Sequence, residues 1–249
     1  MYFGRADKDA QIWNASGVDV RDSTNPAILS AAQRLARFNA RHPWSHNEHF
    51  HGWILRNLPA RRRMALDVGC GAGALAGKLA ARFPRVVGID ADAGMAAAAN
   101  ERLADKPWVS IERYRFDEFA AAAAEGEADL ITMVAVLHHL DLEDALSRIP
   151  RLLAPGGRLL VVGLAKVDGP ADMIVDLVSA AANPIMGLIK HPRPARAIDE
   201  AGAGQPVMPI RDPTMSVAEI ATAAGAHLPG SAVRRRLYFR YTLRWDKPR

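Results

Sequence analysis

The sequence predicts an α/β protein built on a doubly wound, mostly parallel sheet. Three observations carry that prediction. Five short apolar segments between residues 64 and 164 alternate with segments of helical period, the rhythm of strand-helix-strand units whose sheet is covered on both faces. A glycine-rich bend, Gly69-Cys70-Gly71-Ala72-Gly73, follows the first apolar segment and opens a helix. At the far end, Leu237, Phe239, Tyr241, Leu243 and Trp245 alternate with Tyr238, Arg240, Thr242 and Arg244, the period of a strand with one wet face.

The elements follow in order. Residues 1–25 show no clear period and read as a loose arm. Between 26 and 40, Ile28, Ala31, Ala32, Leu35 and Phe38 fall at helical spacing, with Asn25 as N-cap and Pro26 at the first helical position. A second helix is expected at 46–58. Strands follow at 64–68, 85–90, 108–113, 128–136 and 158–164, the last after the turn Ala154-Pro155-Gly156-Gly157. Helices at 73–83, 93–103, 117–124 and 143–153 separate them. From 165 to 213 seven prolines break the rhythm. A helix is expected at 172–182, and 190–213 reads as a long loop of the kind that covers a site. A helix at 216–224 carries the capping-box pair Ser216 and Glu219. Residues 233–237 form a short antiparallel neighbour for the terminal strand.

Composition narrows the function classes. Of 249 residues, 49% are hydrophobic and 24% charged, ordinary for a chain with a large core. The net charge of +5 permits contact with acidic partners, but the positive residues are dispersed. The two densest runs, Arg61 to Arg63 and Arg234 to Arg236, adjoin predicted strands and read as solvated strand ends, so a nucleic-acid partner is not expected. The single cysteine, Cys70, rules out an intrachain disulfide and fits a reducing cytoplasm. Neither a leader-like N-terminus nor an apolar run of membrane-spanning length is present.

The glycine bend carries the chemistry. Glycines let a backbone turn tightly and approach a ligand. Gly69-x-Gly71-x-x-Ala74 also satisfies the dinucleotide fingerprint. Asp67 separates the two readings, because an acid two residues before the first glycine can hold an ammonium and would repel a pyrophosphate. Asp90 ends the second strand, where a carboxylate can accept both hydroxyls of a ribose. Asp117 follows the third strand, placed either to accept an adenine amine or to cap the next helix. His138 and His139 end the fourth strand, and an imidazole there can take a proton near neutrality. The run from His46 to His51 invites a metal reading, but its spacing does not put His46, His49 and His51 on one helix face, and no metal is expected.

Taken in order, Ala65-Leu66-Asp67-Val68-Gly69-Cys70-Gly71-Ala72-Gly73, Val87-Gly88-Ile89-Asp90, Leu137-His138-His139-Leu140 and Leu153 to Leu159 resemble the class I S-adenosylmethionine (SAM)-dependent methyltransferases. The resemblance is close over about residues 45–165 and looser at the terminal strand. It implies a seven-stranded Rossmann-like sheet with an antiparallel last strand, and SAM as cofactor. It divides the chain into an arm with lid helices (1–60) and a SAM-binding α/β domain (61–249) with a cap insertion at about 165–213. Carried over by position, Asp67, Gly69, Cys70, Gly71 and Gly73 would surround the methionine part. Asp90, Ala91 and Met95 would hold the ribose side. Phe116 and Asp117 would flank adenine. Val134 and His138 would line the sulfonium side, with His138 or His139 as base. His46, Asn47 or His51 would touch substrate or cofactor from the lid. The Asn/Asp-Pro-Pro-aromatic run of base-amine methyltransferases is replaced here by Met133-Val134-Ala135-Val136, which favours a small-molecule acceptor. An RNA methyltransferase and a NAD(P)-dependent oxidoreductase are the alternatives.

Overall fold

The structure, a computed structural model, describes residues 46–169, 213–238 and 240–249, together with Ser30, Val175, Ser179 and Ile189. Nearly all of these belong to one of the chain's two compact units, Ser45–Asp168 with Gly204–Arg249. The arm at 1–25, the helices expected at 26–40 and 172–182, and almost all of the loop at 190–213 lie outside the described residues.

The described elements are α1 (His46–Arg56), β1 (Met64–Val68), α2 (Ala74–Leu79), β2 (Arg85–Asp90), α3 (Ala93–Arg102), β3 (Val109–Arg113), α4 (Phe116–Ala122), β4 (Ala128–Val134), a 3-10 turn (Leu137–His139), α5 (Leu142–Leu152), β5 (Leu153–Leu164), α6 (Val217–His227), β6 (Ala232–Arg236) and β7 (Arg240–Asp246). The seven strands form one sheet in the order β3-β2-β1-β4-β5-β7-β6. β1 to β5 pair in parallel. β7 inserts antiparallel between β5 and β6, so β6 runs with the first five. This is the doubly wound, mostly parallel sheet with an antiparallel last strand that the sequence implies.

Right-handed crossovers explain the layers. The chain steps outward from β1 to β2 and β3, returns to β4, and steps the other way to β5. Helices therefore fall on opposite faces. On one face Leu66, Val68, Ile131, Met133, Leu159, Val161, Tyr241, Leu243 and Trp245 join residues of α4, α5 and α6 in a single buried cluster. On the other, α1, α2 and α3 bury Ile54, Leu75, Leu79, Ala96 and Ala99. Between β1 and β4 the strand order reverses, and in open α/β sheets the crevice at the carboxyl ends of such a pair is where ligands bind.

Three sequence expectations need correction. The terminal strand begins at Arg240, because Leu237 and Tyr238 make the turn from β6. Its polar face is not wet: Arg240 is 8% exposed and Thr242 2%. α1 crosses that face, and Asn47 and Asn57 supply oxygens to Arg240 and Arg244. The Arg61 to Arg63 run is not simply a solvated strand end. Arg61 Nε and the Arg63 backbone N–H each donate to the carboxylate of Asp129 at 2.6 Å.

Asp129 is fully buried at the amino end of β4. Burial opposes its charge, but the Arg63 amide and the two guanidinium groups outweigh that and hold its pKa below the usual carboxylate value. Removing one partner of such a set leaves donors unsatisfied. Asp129→Ala is therefore expected to lower the unfolding free energy by about 2–3 kcal/mol, measured by urea denaturation; an unchanged midpoint would show the cluster to be incidental. At the sheet edges, β6 carries Arg234 to Arg236 and β3 carries Glu112 and Arg113, charges that discourage edge pairing with another chain.

Candidate functional site

The glycine bend closes between β1 and α2 through backbone bonds. Gly69 and Cys70 N–H donate to the Ile89 carbonyl at 2.8 and 3.0 Å, and Gly73 N–H donates to Cys70 at 3.0 Å. Gly69, Gly71 and Gly73 have φ of 64°, 52° and 75°, the left-handed region that L side chains avoid. Their surroundings differ. A Cβ on Gly69 would lie 2.2 Å from Val136 Cγ2, and one on Gly73 2.9 Å from Leu103 Cδ1. Those two glycines make room for the protein itself. Among the described residues nothing lies within 4 Å of a Cβ on Gly71, so Gly71 faces away from the rest of this unit.

Two acids flank the bend. The Asp90 carboxylate accepts from Gly71 N–H at 2.8 Å and Asp92 N–H at 2.9 Å, fixing the bend to the end of β2. Each oxygen keeps lone pairs for further donors. Asp67 is 2% exposed. Its Oδ1 accepts from the Thr132 hydroxyl at 2.7 Å, while Oδ2 is buried with no hydrogen-bond partner among the described residues. Burial pushes its pKa up to about 7, with the Thr132 hydroxyl and the Ala76 amide opposing and the charge of Asp90 adding. A half-satisfied carboxylate closed off from solvent just before the bend suits a cationic donor once one reaches it. Cys70 is a buried thiol whose pKa is pushed up chiefly by burial, with Asp67 and Asp90 adding, so it lines the bend as a neutral group.

The end of β4 supplies the opposite wall. Ala135 has φ of 56° with its N–H held by the Val162 carbonyl at 2.7 Å, a strained non-glycine position of the kind that clusters at functional sites. Val134 is partly exposed. The His138 and His139 rings lie 4.0 Å apart. His139 is exposed, whereas His138 borders a small hollow of about 40 Å³ lined by Leu137, Leu164, Met215 and Tyr241 among others. A larger hollow of about 220 Å³ lies by Met64, Arg85 and Glu127, at the amino ends of the strands and lined by none of the candidate residues.

The remaining predicted residues scatter. Ala91 is exposed just beyond Asp90, and Met95 is buried in the first turn of α3. Phe116 packs into the core cluster. Asp117 pairs with Arg115 at 3.1 Å; it does not cap α4, whose N-cap is Arg115. Of the α1 residues, His51 is buried against Lys78 Nζ at 3.0 Å, with its pKa lowered to about 4 by burial and then by the Lys78 charge. It is a neutral acceptor joining α1 to α2. Asn47 accepts from Arg240. The side chain of His46 lies outside the described residues. Sequence reasoning missed Thr132 and Arg240. Thr132 is the one hydroxyl within the apolar run of β4, but its pairing with Asp67 depends on a register the sequence does not display.

The chain's similarities to known proteins now bear on this site. A family model described as a methyltransferase domain matches residues 66–159. An uncharacterized methyltransferase of Mycobacterium tuberculosis is 31% identical over 210 residues, 83% of this chain and 98% of that protein. A trans-aconitate 2-methyltransferase of Methylobacterium nodulans is 35% identical over 127 residues, which span 49% of this chain and 45% of that protein. Among solved structures, the N-methyltransferase NodS of Bradyrhizobium japonicum in complex with S-adenosyl-L-homocysteine (SAH) superposes with a TM-score of 0.54 at 20% identity, covering 87% of this chain and 98% of that one.

Proposed function

The chain belongs to the class I SAM-dependent methyltransferase family, and on that premise we propose that it transfers the methyl group of SAM to a small-molecule acceptor from the crevice between β1 and β4. The observation that carries the reading is the pairing of a half-satisfied buried acid with a glycine that faces away from the rest of this unit. Asp67 Oδ2 offers the missing acceptor to the ammonium of SAM. Gly71 leaves the backbone bare where the cofactor approaches. Asp90 turns its free lone pairs to the ribose diol. Bound SAM supplies a methyl group on a positively charged sulfur, already activated for in-line displacement.

What remains for the protein is orientation and the exclusion of water, effects that can supply about 7–11 kcal/mol in favourable cases. The apolar side chains around His138, Leu137, Leu164 and Tyr241 among them, offer a contact surface for an acceptor next to the end of β4. Of the two histidines, His138 lies among them and is the better candidate to take a proton from an acceptor that carries one; His139 faces outward. A small-molecule acceptor is favoured over RNA because the two arginine runs lie apart, one leading into β1 and the other on the edge strand β6, four places away in the sheet, and do not join into one basic stripe. Among the described residues no helix is long and apolar enough to cross a membrane.

Calorimetry with SAH tests the cofactor site. Asp90→Ala is expected to weaken SAH binding at least tenfold, about 1.4 kcal/mol, because the diol loses its acceptors and the Gly71 amide loses its anchor. An affinity within twofold of the wild type would move the ribose away from β2.

A further inference from the structure

Arg240 has no part in the cofactor site. It opens β7, opposite Leu164 at the end of β5, and so stands at the carboxyl edge of the sheet. It is 8% exposed. Its Nε and Nη2 both donate to one oxygen, Asn47 Oδ1, at 3.3 and 2.9 Å. Among the described residues no carboxylate pairs with it. Burial, with no neighbouring charge to offset it, pulls its pKa down to about 10. Buried guanidinium groups are costly unless paired, and this one is held by a neutral amide that fixes its plane, while among the described residues Nη1 has no hydrogen-bond partner.

The position specifies what the free edge would meet. β1 and β7 are separated by β4 and β5, three strand spacings of about 4.8 Å, or about 14 Å. That distance puts Arg240 beyond the methionine end of a cofactor seated at the glycine bend and on the acceptor side. Leu164, its partner across the ladder, borders the hollow beside His138; Tyr241, next in β7, lines that hollow from the opposite face of the sheet, so Arg240 meets it only around the carboxyl edge. α1 begins here as well, and the positive end of its dipole adds to the same potential.

We propose that Arg240 is the specificity residue for the acceptor: a guanidinium at the carboxyl edge of β7, oriented by Asn47, that binds a carboxylate of the methyl acceptor. The planar fork of arginine matches a carboxylate in two parallel hydrogen bonds, which an ammonium would not reproduce. This inference rests on the methyltransferase reading above.

The test uses the full chain loaded with SAH and a set of small acids, namely benzoate, citrate and trans-aconitate, each beside its amide, with glycerol 3-phosphate as a separate arm. At least one acid is expected to bind at concentrations up to about 10 mM and to accept methyl from SAM, while its amide does not. Arg240→Gln should raise KM for that acid at least tenfold with kcat within threefold, and Arg240→Lys should recover part of the loss. SAH affinity should be unchanged in both variants, which also reports their folding. No binding by any acid, equal use of the amides, or a preference for the phosphate ester overturns the assignment of a carboxylate. A rise in the SAH Kd of Arg240→Gln overturns the acceptor assignment in favour of the cofactor's own carboxylate. Failure of the wild-type chain to bind SAH would instead remove the methyltransferase reading beneath it.

Discussion

Gly71→Val is expected to reduce SAH affinity at least about a hundredfold, about 2.7 kcal/mol, while leaving a folded protein. Three glycines in one bend set the contrast. At Gly69 and Gly73 a side chain collides with Val136 or Leu103 inside the protein, so Gly69→Val should lower Tm first and affinity only as a consequence. At Gly71 none of the described residues stands within 4 Å of the added Cβ. The folded state there bears only the strain of a branched residue at φ of 52°, on the order of 1–2 kcal/mol. The isopropyl group then occupies the space into which a cofactor backbone would fit. Calorimetry and thermal unfolding on both variants check the contrast. A Gly71→Val protein that binds SAH normally would show that the space beyond Gly71 is not the cofactor's.

That contrast also measures what the sequence displayed. The bend, its strand and its helix were legible because glycine spacing, apolar runs and caps are local signals. So were Asp90 at the end of β2 and the capping box of Ser216 and Glu219, which forms as expected. The division of labour among the three glycines was not legible, because it depends on Val136 and Leu103, residues brought in by other elements. The same holds for β7. Its alternation suggested a wet face, but whether Arg240 and Thr242 meet solvent is decided by α1, nearly two hundred residues earlier in the chain. The turn at Pro155 to Gly157 shows a third limit. The sequence marks it as a break before a strand, whereas β5 runs through it from Leu153 with a register shift against β4. Local chemistry gave the turn; pairing with a neighbour decided that the strand began before it.

Asp67 yields the second large effect, through pH. Its folded-state pKa of about 7 lies above the ordinary value of 3.8, so the folded protein holds a proton that the unfolded chain releases. Stability from this group is therefore complete below about pH 4 and declines as pH rises through about 7. Cofactor binding runs the other way, because the ammonium requires the ionised acid. SAH affinity should rise with pH below 7, approaching tenfold per unit, and should level off above it while the ligand's ammonium keeps its proton. A plateau above about pH 7 is the expected result, read from calorimetry between about pH 5.5 and 8.5. Asp67→Asn keeps an oxygen for Thr132 but carries no charge. It should abolish the acid limb and weaken binding at neutral pH by about 2–3 kcal/mol, roughly 30- to 150-fold. It should also remove the decline in unfolding free energy between pH 4 and 7. A variant that retains the acid limb would assign that titration to another group, and with it the recognition of the ammonium.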